Sequence, residues 1–289
     1  MKLSVFTVVT PDLSPEELAA AAKDAGLDGI EWRYKEIPAD AAEEAPSFWR
    51  RNLCSIDPSS SEEELERFVR LAQANGLENV SVTPYLTPGD LEATERVMQA
   101  AKKLGAGMIR VGVPGYNGKE NYNDLFDKEV RYLEGVQELS RRYGIKGVVE
   151  THHVTICPSA GLTHRLVSRF DPEHIGVLFD PGNMVHEGFE NFRMGLELLG
   201  PYLAHVHFKN AAWVKGEERE DGSIAWKSQW APMTGGIVNW KQVLRDLKDL
   251  GYDGYIGLED FSGQFESREL LSQFGRTVRV MLEEVEAGR

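Results

Sequence analysis

Four apolar runs in the second half of the chain end on a residue that can bind a cation. They are "GVVE" to Glu150, "GVLFD" to Asp180, "AHVHF" carrying His207 and "YIGLED" carrying Glu259. Val, Ile and Leu belong in a core, so a carboxylate closing such a run needs a reason. One carboxylate at a strand end is ordinarily a helix cap or an ion-pair partner. Four ligand-type residues on four successive strand ends make a set of three hard oxygens and one imidazole nitrogen. Three carboxylates held together in a low dielectric repel one another, and a cation resolves that repulsion. Oxygen-rich ligation with open positions suits one divalent ion, Mn²⁺ first or Mg²⁺, with Co²⁺ or Zn²⁺ as alternatives. Such an ion, chelating a carbonyl and a neighbouring hydroxyl, acidifies the adjacent C–H and holds the enediolate that forms. One carboxylate removes the proton and another returns one, on the other face or to the next carbon. That is epimerisation or aldose–ketose isomerisation. Where a β-hydroxyl or β-glycosyl group leaves, the same first step gives elimination.

This chemistry requires elements that bring the four strand ends to one place. A repeated unit supplies them. A charged amphipathic segment ends in Gly, and an apolar run follows after two or three residues: "DAGLDGIEW", "ANGLENVSV", "KLGAGMIRV", "RYGIKGVVE", "DLGYDGYIG". The glycines at 26, 76, 105, 144 and 251 sit where a helix end needs positive φ. Helix starts agree. Ser14-Pro15-Glu16-Glu17 is a capping box with Pro at the first helical position, Ser61 precedes three glutamates, and Asp90 opens a helix to about Leu104. Strands are expected at roughly 3–9, 29–33, 79–85, 108–113, 146–151, 175–180, 203–208 and 255–260. Eight alternating units in one chain read as a single α/β domain over 1–289, a (β/α)8 TIM barrel. The alternative is a doubly wound open sheet. It would ordinarily carry a glycine-rich phosphate turn after an early strand, and no such motif is present. In a barrel the C-terminal strand ends surround the active site. Alternation puts Glu150 on the face of Val148, Asp180 on that of Leu178 and Glu259 on that of Gly257. The long connections 34–60, 114–122 and 210–238 read as loops, the last with Trp213, Trp226, Trp230 and the charge run "KGEERED".

Bulk properties narrow the partners. The chain has 289 residues, 42% of them hydrophobic, and a net charge of −14. That acidity opposes nucleic acid and anionic membranes as partners, since phosphate contacts need clustered cations. No run of about 18 apolar residues exists to span a bilayer. The two cysteines, Cys54 and Cys157, form neither a disulfide framework nor a zinc knuckle, and suit a reducing cytoplasm. The first residues read as a strand running into a helix cap rather than as a leader.

"VVETHH", "LFDPGN", "HVHFKN" and "GYIGLEDF" together resemble the xylose isomerase-like TIM barrels called sugar phosphate isomerases/epimerases, over essentially the whole chain. The resemblance implies that Glu150, Asp180, His207 and Glu259 bind one divalent metal. It also implies that Glu150 and Glu259 act as an acid/base pair on a small carbohydrate or cyclitol, and that the protein forms a homo-oligomer. Three positions depart from the ketohexose 3-epimerases in this family: Asn183 replaces a histidine, Ile156 a substrate-binding glutamate and Trp213 an arginine. They point away from free ketohexoses and leave the metal and the proton abstraction untouched. A lyase acting on a keto-sugar, keto-inositol or 3-keto-glycoside is the alternative. An endonuclease of the related DNA-repair barrels would need many more than the seven histidines present, and the intact ligand set argues against a sugar-binding barrel without activity.

His152, Asn183 and Lys209 are the candidates for substrate contact. His152 lies two beyond Glu150, and the resemblance to keto-sugar lyases gives it the role of a base, against that of a rim histidine. Lys209 lies two beyond His207 and either holds an oxyanion or pairs with a glutamate. Glu31 and Arg110 line the opposite wall or form barrel-mouth ion pairs. His205 reads as a buried hydrogen-bonding histidine one layer below His207. His164, His174 and His186 read as without a role, and Asp260 and Glu187 as surface or loop carboxylates. "TGG" at 234–236 is a weak candidate phosphate cradle, and the tryptophans either stack on a sugar or pack the long loop.

Overall fold

The computed structural model describes residues 1–188 and 190–288. Helices start and stop where local chemistry satisfies their free backbone groups. Ser14 Oγ accepts from Glu17 N and Ser14 N donates to the Glu17 carboxylate, opening α1 (Pro15–Asp24). Ser61 and Glu64 repeat this reciprocal pair at α2 (Glu62–Ala74). Asp90 caps α3 (Leu91–Leu104), which ends on Gly105 at φ +73, and α4 (Tyr122–Tyr143) ends on Gly144 at φ +71. The other three repeat glycines, 26, 76 and 251, also hold positive φ.

Eight parallel strands close into a barrel: β1 (Lys2–Phe6), β2 (Gly29–Tyr34), β4 (Glu78–Pro84), β5 (Met108–Arg110), β6 (Lys146–Glu150), β7 (Ile175–Phe179), β8 (Leu203–Phe208) and β11 (Tyr255–Leu258). Closure comes from β1, which pairs with β2 on one side and β11 on the other. A short β3 (Ser55–Ile56) adds to β2 from outside the ring. The outer layer is completed by α5 (Ala160–Val167), α6 (Pro181–Glu187), α7 (Phe192–Leu199), α8 (Trp240–Asp249) and α9 (Ser267–Glu286). Among the described residues, no helix is long and apolar enough to cross a membrane.

Several expectations change. The strand expected at 108–113 is only Met108–Arg110, and the connection 34–60 carries a 3-10 turn at Ala39–Ala41 and β3 rather than loop alone. The long connection after β8 is not a loop throughout. It forms an antiparallel hairpin, β9 (Asn210–Glu218) and β10 (Ile224–Ala231), turned at Arg219–Ser223 with Gly222 at φ +78. Strand one is shorter than expected and passes at Thr7–Val9 into a 3-10 turn.

The barrel interior is more polar than a packed apolar core. Ser4, Glu31, Ser81, Thr83, His205 and His207 are all buried. Glu31 joins Thr83, His205 and His207 through hydrogen bonds, whereas Ser4 Oγ has no hydrogen-bond partner among the described residues. Strand register aligns them: Phe6 pairs with Glu31, Glu31 with Ser81 and His207 with Gly257.

Candidate metal centre and active site

Glu150 closes β6, Asp180 follows β7, His207 lies near the end of β8, and Glu259 follows β11. Parallel strands in register deliver these four ends to one point. One atom from each lies within 4.8 Å of the others, and all four residues are buried. His207 Nδ1 is the hub, 3.3 Å from Glu259 Oε2, 3.7 Å from Glu150 Oε1 and 3.9 Å from Asp180 Oδ2. Among the described residues it has no hydrogen-bond partner. An orphaned imidazole nitrogen facing three carboxylate oxygens is a site for positive charge, either a proton or a cation. Burial alone would lower the His207 pKa, but Glu31, Glu259 and Glu150 raise it well above the ordinary histidine range. Three hard oxygens and one imidazole nitrogen fit a divalent cation.

Beneath this cluster sits a residue that sequence reasoning left as a wall or an ion pair. Glu31 Oε2 lies 3.0 Å from His207 Nε2 and 3.0 Å from His205 Nε2, and Glu31 Oε1 accepts from Thr83 Oγ1 at 2.5 Å. A carboxylate can only accept, so both Nε2 atoms carry hydrogen. With Nε2 carrying hydrogen, Nδ1 is left as the atom of His207 that takes either a proton or a cation from the side of the carboxylates. Phe6 stacks on the His207 ring at 5.8 Å and holds its plane. Burial pushes Glu31 upward, yet the two histidines outweigh it and hold the carboxyl well below the usual range. His205 is the buried hydrogen-bonding histidine expected from its position. The signal for Glu31 in the sequence was its place near the end of β2, facing the same interior as His207.

Asp180 divides its oxygens between two tasks. Oδ1 caps α6 by accepting from Asn183 N at 2.8 Å, and Oδ2 faces the cluster. Burial, with Glu259 and Glu150 nearby, pushes its pKa up to about 7 against the pull of Lys209 and His207. Asn183 does not reach into open space. Its Nδ2 donates to Glu150 Oε1 at 3.1 Å and Asp180 Oδ2 at 2.8 Å, while Oδ1 pairs with His153 Nδ1 at 3.0 Å. It joins two carboxylates that would otherwise repel. Arg110 Nη1 donates to Glu150 Oε2 at 2.7 Å. Burial would raise the Glu150 pKa, but Arg110 leads the charges that hold it well below the usual carboxylate range. Lys209 is buried with Nζ 2.9 Å from Asp180 Oδ2 and against Glu259. The four carboxylates Glu31, Glu150, Asp180 and Glu259 thus outnumber the two cations Arg110 and Lys209. Without a metal, a proton on His207 and one shared with Asp180 would offset the excess; a doubly charged ion would offset it with His207 neutral and all four carboxylates ionised.

Above the cluster opens a cavity of about 500 Å³, within the range of small-molecule sites. Glu150, Glu259, Lys209, Arg110 and His152 line it. Trp49, Trp230 and Phe261 form an aromatic wall, with ring centroids of Phe261 5.1 Å from Trp49 and 5.7 Å from Trp230. His152 Nδ1 lies 2.7 Å from His153 O. A carbonyl only accepts, so Nδ1 carries the hydrogen and Nε2 keeps a lone pair. Burial lowers the His152 pKa despite the opposing charge of Glu150.

Other residues fall elsewhere than the sequence suggested. His186, read as without a role, joins a stack of rings at the mouth: His152–His153 at 4.4 Å, His153–His186 at 4.6 Å and His186–Trp230 at 4.3 Å. Asp260 lies in the loop after β11, as one of its two readings had it, but it is buried rather than on the surface and accepts from Ser262 N. Glu187 is exposed and accepts from Val154 N. Trp213 bonds Val185 O and Trp226 is exposed, so of the hairpin tryptophans Trp230 reaches the cavity. In "TGG", a Cβ on Gly236 would meet Asn210 Oδ1 at 2.1 Å, and Gly235 N already donates to Pro232 O. Close packing accounts for Gly236 without a phosphate.

Comparison with known proteins fits this geometry. A family model described as xylose isomerase-like TIM barrel matches residues 19–281. An inosose dehydratase of Lacticaseibacillus casei is 24% identical over 145 residues, 47% of this chain and 47% of that protein. The match therefore spans about half the length of that relative. Among solved structures, the probable 3-DHS dehydratase involved in petrobactin synthesis from Bacillus anthracis superposes with a TM-score of 0.73 at 19% identity. It covers 96% of this chain and 99% of that one. A D-tagatose 3-epimerase-like protein gives 0.72 at 17%, covering 100% and 99%. At these identities the structural likeness establishes the fold.

Proposed function

Because the chain belongs to the xylose isomerase-like TIM barrel family, we propose that it is a divalent-metal-dependent isomerase or epimerase of a sugar or cyclitol. The observation that carries this reading is the convergence of Glu150, Asp180, His207 Nδ1 and Glu259 on one point, with Glu150 and Glu259 also lining the cavity. When bound, the cation would supply a Lewis acid that polarises a carbonyl and its neighbouring hydroxyl. Glu150 and Glu259, both at the cavity floor, are the proposed acid/base pair. Arg110 keeps Glu150 ionised, so it accepts rather than donates at the start of a cycle. Asn183 holds Glu150 and Asp180 in place, so it acts on the ligands rather than on the substrate. Lys209 and His152 border the space where substrate oxygens would lie, and the aromatic wall covers an apolar sugar face and keeps water out.

One observation favours a second reading. His152 offers an Nε2 lone pair at the cavity wall, independent of the ligand set, and so adds a third proton carrier. In a dehydration the Nε2 lone pair of His152 would take the proton from carbon, and a protonated carboxyl of the Glu150–Glu259 pair would give one to the hydroxyl, which leaves as water. The inosose dehydratase relative supports the same reading.

The test is incubation of Mn²⁺-loaded protein in D₂O with ketoses, keto-inositols and 3-keto-glycosides, with Glu150→Gln as control. Products are analysed by mass spectrometry and by NMR after the metal is removed. Deuterium at a carbon beside the carbonyl, with no other change in mass, is expected for the isomerase reading. Loss of water or an aglycone would move the protein to the lyases. Full turnover by Glu150→Gln would overturn both.

A further inference from the structure

Lys209 is placed as no ordinary surface lysine would be. Its Nζ contacts Asp180 Oδ2 at 2.9 Å and Glu259 Oε2. These are the same two oxygens that face His207 Nδ1 across the candidate metal position. An ammonium and a divalent ion would therefore draw on the same lone pairs. The surroundings are shaped for the lysine. A Cβ on Gly182 would meet Lys209 Cγ at 2.7 Å, so the glycine of "DPGN" makes room for the stem. Asn183 Oδ1 accepts from Nζ at 3.3 Å, and the rings of Trp230 and Phe261 cover it at 4.7 and 5.0 Å.

We propose that Lys209 is a tethered counter-cation that competes with the divalent ion for Asp180 and Glu259, so that metal loading displaces its ammonium toward the cavity. The inference rests on the metal-site reading above. Two positive centres sharing the same oxygens repel strongly in a poorly solvated site. The lysine can yield, because its ammonium rides on a flexible four-carbon stem. Without the ion it holds Asp180 and Glu259 together. With the ion it becomes a donor directed at whatever occupies the cavity. Metal affinity is then a difference between two cations and not the full strength of the ligand set.

The test is calorimetric titration of Mn²⁺ alone into chelator-stripped full-length protein, comparing wild type with Lys209→Met and Lys209→Gln. Both substitutions keep much of the stem and remove the charge. The expected result is a Kd for Mn²⁺ about tenfold lower, or more, in both variants. Their stripped forms melt earlier than wild type, and Mn²⁺ raises their melting temperatures by more than it raises that of wild type. Wild-type binding with an unchanged or weaker Kd in the variants would overturn the proposal and leave the metal-site reading standing. A folded wild type that binds no divalent ion would overturn both. Should neither variant fold, the wild type still decides. With ¹⁵N-lysine labelling, the slowly exchanging signal of a buried, ion-paired ammonium must shift or vanish on saturation with Mg²⁺. A signal unmoved at saturation refutes displacement.

Discussion

Glu129 on α4 is 1% exposed, and neither carboxylate oxygen has a hydrogen-bond partner among the described residues. Burial pushes its pKa up from 4.5 to about 8. A carboxyl with a raised folded-state value binds its proton more tightly when folded. Its contribution to stability is therefore full below about 4.5 and is lost as pH rises through 8. The shift corresponds to roughly 5 kcal/mol at its limit, and relaxation around the charge reduces this to about 2–5 kcal/mol. Glu129→Gln keeps the shape and removes the titration. Urea unfolding of both proteins at pH 5 and pH 9 isolates the effect, because other groups cancel in the difference between variant and wild type. Near pH 5 the two should be close to equal, and at pH 9 the variant should be more stable by about 2–5 kcal/mol. A difference that does not change between the two pH values would refute the reasoning. It would mean that the carboxylate finds a partner or water that lets it ionise.

Three further outcomes follow from the site and its rim. Glu31→Gln puts a carboxamide against two imidazole donors, disturbs the tautomer of His207 and should weaken Mn²⁺ binding by roughly 10- to 100-fold in calorimetry; equal affinity would mean that Glu31 does not orient the ligand. Asn183→Asp replaces a shared donor with another buried negative charge, and should destabilise the chelator-stripped protein by at least ~2 kcal/mol in thermal or urea unfolding, with Mn²⁺ recovering part of the loss. Val154 is a β-branched residue at φ +54 beside the histidine stack. Val154→Asn should stabilise by about 1 kcal/mol in urea unfolding, and a loss of stability would show that the valine side chain contributes more than its backbone costs.

Much of the barrel was legible because it is written locally. Capping boxes at Ser14 and Ser61, glycines at helix ends and short β-branched runs each carry their own physical signal. The four ligand-type residues were legible because strand order converts positions 150, 180, 207 and 259 into neighbours. What was missed depends on partners remote in sequence. Glu31 acquires its place from histidines more than 170 residues away. His186 gains its neighbours from the turn after β6 and from β10. The β9–β10 hairpin was hidden by its own exposure. With little apolar cover on either face its strands carry charges, and the Asp221-Gly222 turn signal sits inside what reads as a charge run. Asn183, expected at the substrate, is drawn inward because two buried carboxylates need a common donor.

Asn210 gives the hairpin a property of its own. Its Nδ2 donates to Met233 O and Val238 O, and its Oδ1 accepts from Ala211 N and Val238 N. One buried side chain thus clasps the segment where it leaves the barrel and where it returns. Everything between, including the Trp230 that roofs the cavity, is a cassette closed at its base. Exchange of residues 211–237 for those of a relative is expected to leave the ring of strands closed where the bond of Trp213 to Val185 O and the packing of Trp230 on Lys209 and His186 are kept. The part of the cavity wall carried by Trp230 and the strand ends that carry the proposed ligand set are thus separate pieces of chain, joined at the clasp of Asn210.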